Sequence, residues 1–264
     1  PDVLRSYYAT WYRPDLQGLV IVGDVDVDKM EASIKAMFAD VQAPVNPAER
    51  HYDAVPDNEA PIVSIATDKE NPNTQILLFY KRDAVPAVRK VGFDYLVYDF
   101  MEDMISMMLQ NRLEEKMQEA NPPFVYAGVD NGEYLIAQTK DALQLMAIGK
   151  PGESQTAIET LIREASRVKR FGFTEGEYER AKAAYQSNLE KRYNERDKQR
   201  SSYYVQQYVN HFLRQEPIPD ITSLYTTMQQ LMPHIPLTAI NQVVSNMIPD
   251  NNRVLAIMGS TQET

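Results

Sequence analysis

The sequence predicts an α+β chain, a sheet of mostly antiparallel strands covered by a layer of helices. Three observations predict it. Apolar runs of strand length sit at 62–67, 75–81, 124–129, 134–139, 142–148 and 253–258. Longer stretches with apolar residues three and four apart cover 91–119, 154–170 and much of 174–215. The order is strands, long helix, hairpin strands, helices, closing strand, which gathers helices on one side of a sheet instead of alternating them with parallel strands.

Each element has a local reason. Residues 2–12 can form a short helix that the Arg13-Pro14 step ends, because proline pushes its predecessor out of the α region. The run Leu19-Val20-Ile21-Val22-Gly23 reads as a strand buried on both faces. Asp26 and Asp28 offer N-cap carboxylates to a helix with Met30, Ile34, Met37 and Phe38 at helical spacing. Pro44, Pro47, Pro56 and Pro61 then interrupt all periodicity, so 46–60 reads as a linker between a unit at 1–45 and a domain at 61–262. Beyond it, Asn71-Pro72-Asn73 separates two strands, and Asn121-Pro122-Pro123 stops the long helix. Asp130-Asn131-Gly132 is a hairpin signal between the strands expected at 124–129 and 134–139. After Gly172, Thr174-Glu175-Gly176-Glu177 has capping-box form and opens a roughly forty-residue helical tract. Helices near 221–231 and 237–247 precede the last strand. That ending, helix then Pro249 then an apolar strand and Gly259, echoes the opening helix, Pro14 and 19–23, as a repeated domain would.

Composition excludes several functions. The net charge of −10 repels phosphate backbones and anionic lipid, which argues against nucleic acid and membrane partners. No apolar run approaches the roughly 20 residues that cross a bilayer. Pro1-Asp2 reads as the interior of a longer chain. Zero cysteines rule out thiol catalysis and disulfides. The three histidines, His51, His211 and His234, lie too far apart in sequence for two ligands on adjacent turns of one helix. There is no G-x-S-x-G elbow or dinucleotide fingerprint, and Gly149-Lys150 has Gln144 where a phosphate loop needs glycine and Pro151 where it needs Ser or Thr. The expected catalytic and metal residues are therefore none.

Weaker signals have plain structural readings. The stripe Tyr204, Tyr208, His211, Phe212 has helix-face spacing and reads as a packing face. Met101, Met104, Met107, Met108 and Met117 read as helix packing, and Glu114-Glu115 with Asp24, Asp26 and Asp28 as solvated faces and caps. Arg192, Arg196, Lys198 and Arg200 alternate with Glu195 and Asp197 as on a solvated helix. Within that tract Arg200, Tyr203 and Tyr204 are the residues that could grip peptide carbonyls.

Residues 7–41, with Trp11-Tyr12-Arg13-Pro14-Asp15, Val20-Ile21-Val22-Gly23-Asp24-Val25-Asp26 and a helix ending Met37-Phe38, resemble the stretch that completes the catalytic domain of insulinase/pitrilysin-type (inverzincin) zinc peptidases. The resemblance continues through Pro61-Ile62-Val63, 172–189 and 193–212, and is especially strong to bacterial two-half members. It implies the mitochondrial-processing-peptidase-like metallohydrolase fold. It also implies that this chain comprises the tail of a catalytic domain and a complete, non-catalytic second domain. The family's inverted zinc motif, H-x-x-E-H, is absent here. The resemblance thus implies no cofactor in this chain, zinc in a missing catalytic domain, and inactivity of the chain alone. It implies a chamber-forming module of a zinc metalloendopeptidase that degrades peptides or small unfolded proteins, with the remaining domains and peptide substrate as partners. An assembly subunit of the same fold without peptidase activity is the alternative. The compartment stays open between bacterial periplasm and cytoplasm. A strand at 19–23 without its own sheet is expected to pack onto a neighbour or pair with another copy of the chain.

Overall fold

The structure, a computed structural model, describes residues 1–260. Its elements are α1 (Asp2–Trp11), α2 (Val27–Met37), β1 (Ile62–Asp68), β2 (Gln75–Asp83), α3 (Phe93–Met117), β3 (Tyr126–Glu133), β4 (Lys140–Ile148), α4 (Ser154–Phe171), α5 (Glu175–Asn194), α6 (Ser201–Arg214), α7 (Ile221–Leu231), α8 (Leu237–Met247) and β5 (Arg253–Ser260). The described residues divide into two compact units, one of residues 1–51 with 194–220 and one of 52–193 with 221–260.

The larger unit holds one five-stranded sheet in the order β1-β5-β2-β4-β3. β2 runs antiparallel to β4 and β5, β3 runs antiparallel to β4, and only β1 and β5 are parallel. Alternation along β2 sends Ile76, Leu78 and Tyr80 into the main core and Phe79 into a smaller cluster with Ala142 and Val254. In the main core they meet Leu143, Leu145 and Ala147 of β4 under Met104, Ile105, Met108 and Leu109 of α3, Leu161 and Ala165 of α4, and Ile240 and Val244 of α8. Each Leu, Ile, Val or Met among them contributes about 1.5–3 kcal/mol by leaving water. The α3 methionines are thus packing residues, as their spacing suggests.

The capping box forms at α5: Thr174 N–H donates to Glu177 Oε2 at 2.7 Å, and Glu177 N–H reaches Thr174 Oγ1 at 3.4 Å. Just before it, Gly172 has φ +67°, and a Cβ there would sit 2.6 Å from the Asn241 carboxamide. That carboxamide accepts from Phe173 N–H at 2.9 Å, so only glycine allows the α4–α5 corner to close on α8.

The smaller unit has little interior. Of residues 1–51 only Arg13 is buried, its guanidinium 3.3 Å from Asp15 and 5.9 Å from the Trp11 ring. Tyr8 of α1 stacks at 4.6 Å on Tyr12, the residue after the helix, while Leu4, Tyr7, Met37 and Phe38 stay exposed. A Cβ on Gly18 would lie 2.9 Å from the Phe212 ring, so this glycine permits the close approach of α6. Asp26 caps α2 by accepting from Lys29 N–H at 3.1 Å.

Several elements differ from expectation. Residues 19–23 form no strand, and Leu19 and Ile21 are exposed; no described strand offers them a ladder. The echo between the two ends of the chain therefore holds in sequence pattern only: 253–260 is a strand and 19–23 is not. Asp130-Asn131-Gly132 lies inside β3, with Asn131 opposite Leu143, and the turn falls at 134–139 where a strand was expected. There Leu135 takes φ +57° and Ala137 N–H bonds Tyr134 C=O at 2.9 Å. The tract from 174 to 215 breaks after Asn194 into a 3-10 turn (Arg196–Lys198) before α6 begins.

Candidate functional site

The residues singled out for peptide contact gather at the start of α6. Arg200 is the residue before its first turn and is exposed, and Tyr203 N–H bonds the Arg200 carbonyl at 3.0 Å. Tyr203 and Tyr204 pack edge to face at 5.4 Å. The Tyr204 hydroxyl donates to the Arg196 carbonyl at 3.1 Å, which ties α6 to the preceding 3-10 turn, and Tyr203 accepts from Gln207 at 3.0 Å. The structure thus brings the three together, with Arg200 as the outward member. Farther along α6, His211 is exposed with Nδ1 2.7 Å from the Glu216 carbonyl, and Tyr208 and Phe212 are about half exposed, so the stripe is only partly a packing face.

A second polar cluster escaped sequence reasoning. On α3, Asp99, Glu102 and Asp103 fall at i, i+3 and i+4, the spacing of H-x-x-E-H with aspartate at each histidine position. Glu102 is buried, and its Oε2 accepts from Arg82 at 3.1 Å and from Asn131 at 3.0 Å, while Arg82 also donates to Asn131 at 2.7 Å. Desolvation and the adjacent Glu102 carboxylate push Tyr98 up to about 12. Crowding by surrounding helices, with Glu102 adding and Arg192 opposing, pushes the Asp103 carboxyl up to about 6, although one side of Asp103 is open to solvent. Tyr185 packs edge-on to Phe100 at 5.0 Å, and burial, with Asp103 and Asp99 adding, raises its hydroxyl to about 12.

These residues do not fit zinc. Zinc sites rest on imidazole or thiolate donors with few carboxylates. Here all three groups are carboxylates, Glu102 is committed to Arg82 and Asn131, and Arg192 already places a positive charge in the field of Asp103. Among the described residues no group of three or more His, Cys, Asp or Glu is arranged to hold a metal ion. His51, His211 and His234 are all exposed. The cluster can fix α3 against β2 and β3.

Two other buried ionic groups are architectural. Lys140 is buried and bonds both Asp57 and Asp83 at 2.6 Å, while buried Lys81 donates to the Pro56 carbonyl at 2.8 Å. Arg112 is buried and grips Glu177 through Nε at 2.5 Å and Nη2 at 3.0 Å, beneath the Phe173 ring at 4.8 Å. Among the described residues no helix is long and apolar enough to cross a membrane.

Residues 1–185 match the family described as the Peptidase M16 inactive domain. The chain is 24% identical over 241 residues to a zinc protease PQQL-like protein of Arabidopsis thaliana, covering 90% of this chain and 22% of that protein. It is 24% identical over 183 residues to the probable zinc protease PqqL of Escherichia coli, covering 69% of this chain and 19% of that one. The chain therefore spans about a fifth of these curated relatives. Among solved structures, the first half of the periplasmic protease PqqL from Escherichia coli superposes with TM-score 0.80 at 19% identity, over 98% of this chain and 54% of that chain. A predicted insulinase family protease from Yersinia pestis does so with TM-score 0.81 at 14% identity, over 100% of this chain and 56% of that chain. With the family match covering most of its length, this chain belongs to the Peptidase M16 inactive-domain family.

Proposed function

We propose that the chain is a non-catalytic, chamber-forming module of a zinc metalloendopeptidase acting on peptides or small unfolded proteins, and that it is inactive alone. One observation carries the reading: the unit of 1–51 and 194–220 buries a single residue, Arg13, while its helices and the 19–23 segment leave large apolar side chains in water. Elements with so much uncovered apolar surface are built to be completed by another body. The family resemblance of 7–41 supports a zinc-bearing domain as that body. The relatives that are described as zinc proteases, of which this chain spans a fifth, support a larger parent protein whose other domains are the partners. The periplasmic relative supports a periplasmic setting.

The test is reassembly. The chain and the zinc-bearing domain of its parent protein are purified separately, then mixed and assayed with a fluorogenic peptide. The expected result is a stable complex that cleaves, no cleavage by the chain alone with or without added zinc, and loss of assembly on Ile21→Asp. Cleavage by the isolated chain, or indifference of the zinc domain to it, overturns the proposal.

A further inference from the structure

Asn131-Gly132 is the only Asn-Gly step in the 264 residues, and the fold places it inside β3, the strand that ends the sheet order. Asparagine before glycine is the step most open to self-attack, because a residue without a side chain lets its backbone nitrogen approach the preceding carboxamide. At residue 132 the place a Cβ would take has no atom within 4 Å, so nothing crowds that approach. Two restraints oppose it. Tyr134 N–H donates to the Lys140 carbonyl at 2.9 Å, and alternate residues of an antiparallel strand face the same partner, so Gly132 N–H faces Ala142 of β4. The Asn131 carboxamide is held as well: Arg82 Nη2 donates to its Oδ1 at 2.7 Å, and its Nδ2 donates to Glu102 Oε2 at 3.0 Å. The other edge of β3 is held to α3 through side chains, with Val129 N–H donating to Gln110 Oε1 at 2.9 Å and Ala127 N–H to Met117 Sδ at 3.3 Å.

We propose that Asn131-Gly132 is a gated self-modification site, inert while β3 is zipped to β4 and converted to aspartate or isoaspartate once this edge opens. In the open strand the Gly132 nitrogen loses its proton to solvent base and attacks Asn131 Cγ. A C–N bond forms, the Cγ–Nδ2 bond breaks, and the carboxamide nitrogen takes up a proton and leaves as ammonia. Water then opens the cyclic imide at either carbonyl, which gives aspartate or isoaspartate with no change of oxidation state. In the closed strand the attacking N–H is turned toward β4 and the extended backbone keeps it from Cγ. Neither product restores the junction. Aspartate replaces a donor to the buried Glu102 with a second carboxylate, which leaves that acceptor unmatched and adds like-charge repulsion. Isoaspartate carries the main chain through the former side chain and so throws residues after 131 out of register with β4. A unit whose β3 edge has opened for long is thereby marked permanently. The site needs no catalytic partner and stands independently of the chamber reading.

The experiment incubates the 264-residue chain in mildly alkaline buffer, folded and in urea, and follows each asparagine by peptide mapping with mass spectrometry. In urea Asn131 should convert faster than every other asparagine, and in the folded chain at least about tenfold more slowly than in urea, because reaction waits on local opening. Gln110→Ala, which releases the Val129 N–H from α3, should speed conversion of the folded chain at a folded fraction matched by circular dichroism. Chain converted in urea, separated by charge and returned to buffer should exchange the amides of 126–133 faster than unconverted chain treated alike, or fail to refold; Asn131→Asp should do the same. Equal rates in the folded chain and in urea overturn the proposal, as does an Asn131 that is no more reactive than the other asparagines once unfolded. So does an unchanged rate in Gln110→Ala, or exchange in the converted chain identical to that of the unconverted one.

Discussion

Removing Glu177 should expose how much the α4–α5 corner depends on one carboxylate. Arg112 is 6% exposed, and its charge is met by two bonds to Glu177, one to the Gly172 carbonyl at 3.2 Å, and the Phe173 ring. Deleting one member of a buried pair strands the other and typically costs about 3–5 kcal/mol. Glu177 also caps α5, a role worth about 1 kcal/mol. Thr174→Ala removes the cap hydroxyl while keeping the pair, so it should cost about 1 kcal/mol. Glu177→Ala removes both and should cost about 4 kcal/mol, lowering the melting midpoint by about 10 °C. Urea unfolding followed by circular dichroism, with m-values checked for constancy, gives the comparison. The pH dependence has a fixed sign. Burial opposes the ionised form of Glu177, yet the bonds from Arg112 and Thr174 outweigh it and hold the carboxyl at about 2, below its usual 4.5. A depressed carboxylate adds stability that is full above pH 4.5 and disappears as the pH falls toward about 2. The gap between wild type and Glu177→Gln should therefore shrink across that window. If Glu177→Ala costs no more than Thr174→Ala, the buried guanidinium does not rely on this partner and the reasoning fails.

Other perturbations follow from the same structure. Gly172→Ala forces a side chain to φ +67° and into Asn241, and should cost about 2 kcal/mol in the same assay; a neutral result would mean that the corner relaxes freely. Lys140→Met releases Asp57 and Asp83, so limited proteolysis should cut faster around residues 46–57 while the sheet melts nearly unchanged; an unaltered cleavage pattern would show that the lysine is no tether. Under the proposed chamber-forming role, Arg200→Ala in the longer parent protein should raise KM for peptides with kcat little changed, and identical Michaelis constants would remove Arg200 from peptide contact. Metal analysis of the purified chain after dialysis against zinc should find no tightly held ion, and stoichiometric zinc would contradict the misfit of the α3 carboxylates.

Most of the larger unit was legible because its signals are local and consistent. The α3 periodicity, the Thr174–Glu177 cap and the apolar β2 run each name their own structure, and the packing agrees with all three. The reading went astray where a distant partner outvoted a local preference. Asp130-Asn131-Gly132 carries turn chemistry, but Asn131 is bound by Arg82 from β2 and touches Glu102 from α3, which holds it inside a strand. Residues 19–23 carry strand chemistry but lack a described ladder, and strand propensity without a partner does not make a strand. At the candidate site, the grouping of Arg200, Tyr203 and Tyr204 was readable from helix spacing. The Asp99, Glu102, Asp103 set stands at i, i+3, i+4 in the sequence, and only the burial of Glu102 within it requires the fold.

Asn252 joins the two ends of the larger unit. It takes φ +57° at the mouth of β5, its side chain accepts from Asn58 N–H and donates to Asp57 at 2.8 Å each, its N–H reaches the Asn58 carbonyl at 2.7 Å, and its carbonyl receives Lys81 N–H at 2.9 Å. Tension applied to the polypeptide ahead of Tyr52 is thereby delivered to the middle of the sheet, at β5 and β2, where several bonds must shear together before any strand can peel. A tug from whatever precedes this unit would move it bodily, as a rigid handle, before unravelling it.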